Sequence, residues 1–496
     1  MNIHIEQLMS DSGVKFGTSG TRGLVKDMTD LVCFAYTSAF LQHLIHEKQI
    51  QKGDQVGIGG DLRSSSPRIM NAVAKASQYY SLQPLNLGFI PSPAVALYGI
   101  QHHMATIMVT GSHIPDDRNG MKFNLPIGEI LQADEQAIKQ QWVDIPDELF
   151  DDHGAFIKQD AVLSEPSFSA QKHYIERFTQ FLPDNCLAGM TIGVYQHSAV
   201  GRDLLQQILS ALGANTICLG RSEQFVSVDT EAIRSEDVEL AQQWASEHAL
   251  DAIVSTDGDS DRPLISDEHG RWLRGDIVGL LTALYLGADI VVTPVSSNSC
   301  VNADFFEQVL RTRIGSPYVI AAMQTAATNS PEEGVVGYEA NGGFLQQSAI
   351  ELSGKTLSPL PTRDAIIVIL SVLLLAKQRQ QTVSELNASM PAIYTSSDRL
   401  KNFALEKSRL LLDTLIVDKQ INSEQVQQLF PFMGEIKAVD TTDGVRLSFA
   451  DDEIIHIRPS GNAPELRCYT EASREERAIE LNQLALKAMS DWSESV

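Results

Sequence analysis

Five loops in this chain hold more polar chemistry than turns require, and the first is 110–123, TGSHIPDDRNGMKF. Ser112 there follows a glycine just where the apolar run 104–109 ends. That run predicts a buried strand, and Gly111, Pro115 and Asn119-Gly120 are loop and turn signals. Ser112 is therefore expected at a strand's carboxyl end, where open α/β sheets place their chemistry. A serine so placed can carry a phosphoryl group covalently, or it can merely bond its own backbone; the other loops decide between the two.

Residues 256–263 read TDGDSDRP and follow a predicted strand at 250–255. Asp257, Asp259 and Asp261 stand at i, i+2 and i+4 and can fold around one hard cation, magnesium or calcium. A calcium-binding EF-hand loop has the same start and would end at Glu268, but Arg262 occupies the position where that loop needs glycine, and the flanks are β-like rather than helical. A solvated acidic turn is the plainer alternative. Arg262 argues against it, because a cation beside a metal is tolerable where an anion is shared between them.

Three more loops complete the set. Residues 16–23, FGTSGTRG, can aim backbone N–H groups and the Arg22 guanidinium at a phosphate. Residues 337–344, GYEANGGF, put Glu339 and Asn341 on a glycine-rich loop, where a carboxylate and an amide can hold two sugar hydroxyls or simply decorate a tight turn. Residues 458–467, RPSGNAPELR, gather Arg458, Ser460, Gly461, Asn462 and Arg467 around one turn, a phosphate cradle by donor count or else an ion-paired surface turn.

The elements that must position these loops alternate. A strand at 55–60, a helix at 67–80 and a strand at 85–90 precede the strand 104–109, and the polar, proline-bearing stretch 144–166 reads as a linker. A helix at 169–181, a strand at 190–195 and a helix at 235–247 lead to the strand carrying the aspartates, which is followed by a hairpin turning at 267–270. A third set runs through a helix at 276–286, a strand at 289–294, a helix at 303–311, a strand at 318–322 and a long apolar helix at 363–378. The rhythm then changes: a helix at 400–418, strands at 444–450, 453–457 and 468–471, and a terminal helix at 473–492. The implied division is 1–160, 161–265, 266–392 and 393–496.

Composition bounds the partners. The formal charge of −25 argues against nucleic acid, which demands a basic face, and makes local cations the means of drawing in a small anion. The apolar runs 277–286 and 365–376 are shorter than the roughly 20 residues a bilayer span needs, so no membrane is expected. The amino terminus lacks a basic region followed by an apolar core, and the five cysteines are scattered without metal-ligand spacing, so a reduced cytoplasm is the expected location.

Taken together, FGTSGTRG, TGSHIP, DGDSDR, EANGG and RPSGNAPELR resemble the α-D-phosphohexomutase family in order and spacing over nearly the whole chain. The resemblance implies an α/β protein of four domains around a central cleft, three similar α/β domains with mixed sheets and a smaller α+β C-terminal domain. It implies that Ser112 bears the phosphoryl group and that Ser112, Asp257, Asp259 and Asp261 meet a magnesium ion. Arg22, His113, Lys122 and Arg262 match catalytic positions, with Lys122 the first choice of general base through a pKa lowered among arginines. Glu339 and Asn341 fall in the sugar loop, and Arg458, Ser460, Gly461, Asn462 and Arg467 where the non-reacting phosphate is held.

The implied activity interconverts hexose 1-phosphates and 6-phosphates through a hexose 1,6-bisphosphate, which also serves as activator. Mannose is favoured over glucose, with glucosamine as the alternative and a non-catalytic sugar-phosphate binder as the reading from another class. Departures bear on the sugar: Gly111 and Ile114 replace alanine and asparagine, Asn462 and Ala463 replace threonine and glutamate, Asn341 replaces serine, and Ser316 stands where histidine is frequent. The oligomer is expected to be a monomer or dimer.

Overall fold

The run preceding Ser112 forms the strand Ala105–Val109, buried at every position. In this computed structural model, which describes all residues except Thr18, Ser19, Gln159, Asp418, Lys419, 461–463 and Val496, that strand lies inside a mixed seven-stranded sheet. It runs parallel to Gln55–Gly60, itself parallel to Gln83–Phe89, and antiparallel to Arg118–Leu125, which pairs in turn with Gly20–Leu24. Helices Asp30–His46, Ser66–Tyr79 and Ser92–His102 join the strands. Thr29 caps the first by accepting from the Val32 amide, and Pro67 and Pro93 sit in the first turns of the others, where a missing N–H costs nothing.

One sequence expectation fails within this sheet. Asn119 and Gly120 read as a turn, yet they belong to the strand Arg118–Leu125. Asn119 is wholly buried and its side-chain amide donates to Ser65 Oγ and Ser66 Oγ, while a Cβ at Gly120 would collide with the carbonyls of Thr21 and Thr110. Neighbouring strands press so closely here that glycine serves packing rather than turning.

The chain divides into two compact units, Met1–Asp289 with Met323–Asn387, and Ile290–Ala322 with Ala388–Val496. The first unit holds a second sheet, in the order Asn215–Arg221, Thr191–His197, Ala252–Thr256, Pro263–Ser266, the first three parallel and the last antiparallel. The aspartate loop is the connection of the final hairpin, with Thr256 opposite Pro263. It also holds the hairpin Val335–Tyr338 and Phe344–Gln346, whose loop carries Glu339 and Asn341. The two most apolar stretches become the helices Gly275–Leu286 and Ala365–Arg379, which pack on each other inside the unit. Among the described residues no helix is long and apolar enough to cross a membrane.

In the second unit Ile290–Pro294 and Gln308–Thr312 are parallel partners. The helix expected at 303–311 is therefore corrected: Ser299–Asn302 makes a short 3-10 turn, and the β-favouring Val309 and Thr312 stand in a strand. The strand expected at 318–322 is part of the helix Ser316–Asn329, with Pro317 in its first turn. A five-stranded antiparallel sheet follows, ordered Tyr394–Lys401, Glu465–Ala472, Ile454–Pro459, Val445–Phe449, Ile436–Asp440, with the helix Glu475–Ser495 packed against the first two. The helix expected at 400–418 is shortened to Leu405–Leu415, because residues up to Lys401 pair along the whole of Glu465–Ala472.

Candidate active site

Ser112 sits one turn past the strand Ala105–Val109 with a left-handed backbone, φ 56°, and is buried. A non-glycine residue in that region costs about 1–3 kcal/mol and persists only where its surroundings hold it. Its amide donates to Thr110 Oγ1 at 2.7 Å, and its Oγ donates to Asp257 Oδ2 at 2.6 Å with His113 Nδ1 3.3 Å away. Serine and metal loop, 145 residues apart, thus meet by direct hydrogen bond.

Asp257, Asp259 and Asp261 are all buried and can each offer an oxygen within 4.8 Å of the others. Asp257 Oδ1 accepts from the amides of Asp261 and Arg262, folding the loop back on itself. Burial, then Asp259 and Asp261, push the Asp257 carboxyl well above its ordinary range. Burial and Asp261 oppose the charge of Asp259, but Lys122 and Ser92 outweigh them and hold it low. Burial likewise opposes the charge of Asp261, while Arg363, Lys122 and Arg262 keep it ionised. Asp259 Oδ1 and Asp261 Oδ1 are buried without a hydrogen-bond partner. Three converging carboxylates with two unmet oxygens fit a hard divalent cation.

Cations surround this acidic centre. Lys122, on the strand Arg118–Leu125, donates to Asp259 Oδ2 and Asp261 Oδ2, each at 2.5 Å. Burial disfavours its charge, but the two carboxylates prevail and its pKa is raised. The expected lowering is corrected: Asp259 and Asp261 outweigh burial and Arg363, so the Lys122 ammonium is held in its charged form. Arg262 has Nε 3.7 Å from Asp261 Oδ1, buried and without a hydrogen-bond partner. Arg22, on the strand Gly20–Leu24, is pushed down to about 10 by burial and by Arg262 and Arg363. His113 is pushed down to about 3 by burial and Arg262, so its imidazole is neutral at ordinary pH.

The sugar-loop pair divides. Glu339 is buried and accepts from Arg363 Nη1 at 3.2 Å, and Arg363 Nε donates to Asp261 Oδ2 at 3.1 Å, so one guanidinium joins this loop to the aspartates. Asn341 turns Oδ1 onto the Gly343 amide at 2.9 Å, bracing the loop.

In the second unit Arg458 and Arg467 face each other in register, so both side chains share a face of the sheet. Arg458 Nε is 2.9 Å from Asp443, and Arg467 Nη2 is 3.8 Å from Glu465. The Ser460 amide donates to the Glu465 carbonyl. Gly461 and Asn462 lie outside the described residues.

Four contributors escape sequence reasoning. Arg63 donates to the carbonyls of the serine loop, Ser92 donates to Asp259 Oδ2 at 2.5 Å, Arg363 bridges Asp261 and Glu339, and Arg399 extends the arginine row by pairing in register with Arg467. Arg363 alone carries a local signal, since Asp364 beside it caps the apolar helix and accepts from the Ile366 amide.

Known proteins resemble this chain along its length. Residues 13–147, 172–270 and 274–394 match phosphoglucomutase/phosphomannomutase alpha/beta/alpha domains I, II and III, and 405–486 matches its C-terminal domain. A phosphomannomutase of Sinorhizobium fredii is 42% identical over 95% of this chain and 97% of its own length, and one of Salmonella muenchen is 42% identical over 97% and 96%. A crystal structure of a phosphoglucomutase/phosphomannomutase family protein from Burkholderia thailandensis superposes with a TM-score of 0.73 at 18% identity, covering 95% of this chain and 97% of that one. By four successive domain matches and these whole-length relatives, the chain belongs to the phosphoglucomutase/phosphomannomutase family, the α-D-phosphohexomutases, enzymes that interconvert hexose 1-phosphates and 6-phosphates.

Proposed function

We propose that this chain is a magnesium-dependent phosphomannomutase that works through a phosphorylated Ser112 and a hexose 1,6-bisphosphate. The sugar rests on the relatives at 42% identity, both phosphomannomutases, whereas phosphoglucosamine mutases match at 25–26%. The chemistry rests on one observation: Ser112 Oγ bonds Asp257 at 2.6 Å at the rim of the aspartate trio.

In the forward step the bond from phosphorus to Ser112 Oγ breaks and a bond forms to the free hydroxyl oxygen of a hexose monophosphate; that hydroxyl gives up a proton and Ser112 Oγ takes one up, so that a phosphoryl group and a proton change places between the two oxygens. Asp257, Asp259 and Asp261 would hold the magnesium ion, which neutralises phosphate oxygens as charge shifts among them. Arg22 and Arg262 present guanidinium groups to the same oxygens, and Lys122 keeps Asp259 and Asp261 ionised. In the return step the bisphosphate gives its other phosphoryl to Ser112. The proton leaving Oγ then has two acceptors in place, Asp257 Oδ2 at 2.6 Å and neutral His113 Nδ1 at 3.3 Å. Glu339 and Asn341 would receive sugar hydroxyls, Asn341 through its side-chain NH2, and Arg458, Ser460, Gly461, Asn462 and Arg467 would grip the phosphate that is not reacting. The domains would divide at 160, 265 and 392, and five free thiols suit a reducing cytoplasm.

Purified protein should turn over mannose 1-phosphate in the presence of glucose 1,6-bisphosphate and magnesium, faster than the glucose or glucosamine compounds. Intact-mass measurement should find a phosphorylated fraction that vanishes in Ser112→Ala. A protein that binds hexose phosphates, carries no phosphate and turns none of them over would be a binder and would sink this reading.

A further inference from the structure

We infer that Arg63, capped by Phe225, is the positioning residue that holds Ser112 in its reactive left-handed conformation; this deepens the phosphoserine reading above and rests on it. Arg63 follows the strand Gln55–Gly60, and its side chain has no exposed surface. Its Nε donates to the Arg118 carbonyl at 3.0 Å, and its Nη2 donates to the carbonyls of Ser112, at 3.2 Å, and Ile114. Three donations from one rigid fork clamp the serine loop at its nucleophile, two residues beyond, and at its return into the sheet.

The fork is itself held from three sides. Nη1 donates to Asp61 Oδ2 at 3.0 Å. The same carboxylate accepts from Thr110 Oγ1 at 2.8 Å and from Ser66 Oγ at 2.6 Å, and Thr110 Oγ1 receives the Ser112 amide. Ser112 is thereby gripped at both ends of its peptide unit, its carbonyl by Arg63 directly and its amide through Thr110 and Asp61. Gly111 lies flat against the guanidinium, since a Cβ there would come within 2.8 Å of Arg63 Cζ.

On another side the Phe225 ring lies 3.8 Å from Arg63 Cζ. Phe225 belongs to the segment that also sends Ser227 Oγ to the His113 carbonyl. A Cβ on Gly258, in the aspartate loop, would meet both Phe225 and the Ser112 carbonyl. The ring therefore seals the guanidinium where the serine loop meets the metal loop, and keeps water from competing for the carbonyls it holds. No atom of Arg63 needs to touch the sugar: its effect is on where Oγ points, so it belongs to the transfer step rather than to substrate affinity.

The test uses the full chain with magnesium. Arg63→Lys keeps the charge but loses the fork, so kcat should fall about 100-fold while KM for the hexose 1-phosphate stays within about twofold. Phe225→Leu, a smaller change that should fold, should lower kcat at least about threefold at constant KM. Uptake of phosphate from glucose 1,6-bisphosphate, followed by intact mass, should slow in both variants. Folded Arg63→Lys with wild-type kcat and uptake, or a loss expressed as a rise in KM, would overturn the assignment; if Arg63→Lys does not fold, unchanged kcat and uptake in Phe225→Leu does the same. Wild-type protein that takes up phosphate yet turns over no hexose phosphate would defeat the mutase reading, and the uptake rates of the variants would still judge Arg63.

Discussion

The serine and aspartate centre and the C-terminal arginine row handle charge in opposite ways. Around Ser112 the side chains of Asp61 and Arg63 have no exposed surface, and that of Arg363 is 4% exposed. In the row, Arg458 is 17%, Arg467 35% and Arg399 45% exposed. Charges taken out of water call for fixed partners, and the first region supplies them to Asp61, Arg63, Lys122 and Arg363, leaving Asp259 Oδ1, Asp261 Oδ1 and Arg262 Nε unmet. The pairs of Arg467 and Arg399 with Glu465 keep a partly exposed guanidinium and are worth at most about 1 kcal/mol, so Glu465 can cede them to a phosphate at little cost, while Arg458 and Asp443 are more enclosed. Fixed partners suit the phosphoryl-carrying role proposed for Ser112, and exchangeable pairing suits the phosphate-binding role proposed for the row.

The sharpest break of this contrast is Asp257→Asn. Turnover should fall at least about 100-fold, or roughly 2.7 kcal/mol of barrier, and chelation should remove the activity of the wild type. The folded state should respond in the other direction. Burial and its two neighbours raise the Asp257 carboxyl, so a neutral isostere relieves repulsion and the melting temperature in chelator should rise. An asparagine variant that retains activity, or one that melts lower without metal, would show that the trio is not the strained acidic centre described here.

A smaller effect, of a different kind, is expected in the row. Arg458→Ala and Arg467→Ala should each raise KM about tenfold with kcat within about threefold, because they remove binding shared by ground and transition states. The melting temperature should barely move in Arg467→Ala, whose pair is long and partly exposed, and fall more in Arg458→Ala, whose pair is close and enclosed. If either variant lost kcat instead, the row would belong to the reacting phosphate and the contrast would collapse.

Much of the rigid centre was legible because its chemistry is concentrated in single loops. Ser112 after an apolar strand, and three aspartates followed by Arg262, announce their chemistry within fourteen and eight residues. Arg63 and Phe225 do not, since an arginine in a polar turn and a phenylalanine in a loop acquire meaning only when the fold brings them together. The direction of the Lys122 shift is not legible locally, because the aspartates that raise it are its neighbours in space and not in sequence. The misread elements share a cause. Residues 303–311 and Asn119-Gly120 owe their conformation to strand partners, Ile290–Pro294 and Gly20–Leu24, and pairing overrides local preference.

The smallest effect tests whether the row is soft all the way through. Beside it, on the same face of the sheet as Arg458 two residues on, His456 is buried, stacks on its register partner Tyr469 and has Nε2 2.7 Å from the Asp443 carbonyl, the same residue whose carboxylate pairs with Arg458. Burial pushes its pKa down to about 4 against an ordinary value near 6.5. Between those values the unfolded chain binds a proton that the folded one refuses, so this residue makes stability fall as pH drops from about 6.5 to about 4 and has no effect at neutral pH. The shift is worth at most about 3 kcal/mol. His456→Gln can still donate to the carbonyl, so it should leave KM and the melting temperature at pH 7 unchanged and flatten the decline of the melting temperature below pH 6. An unflattened decline would mean that His456 takes up its proton in the folded state, and that water reaches the enclosed end of the face that carries the arginines.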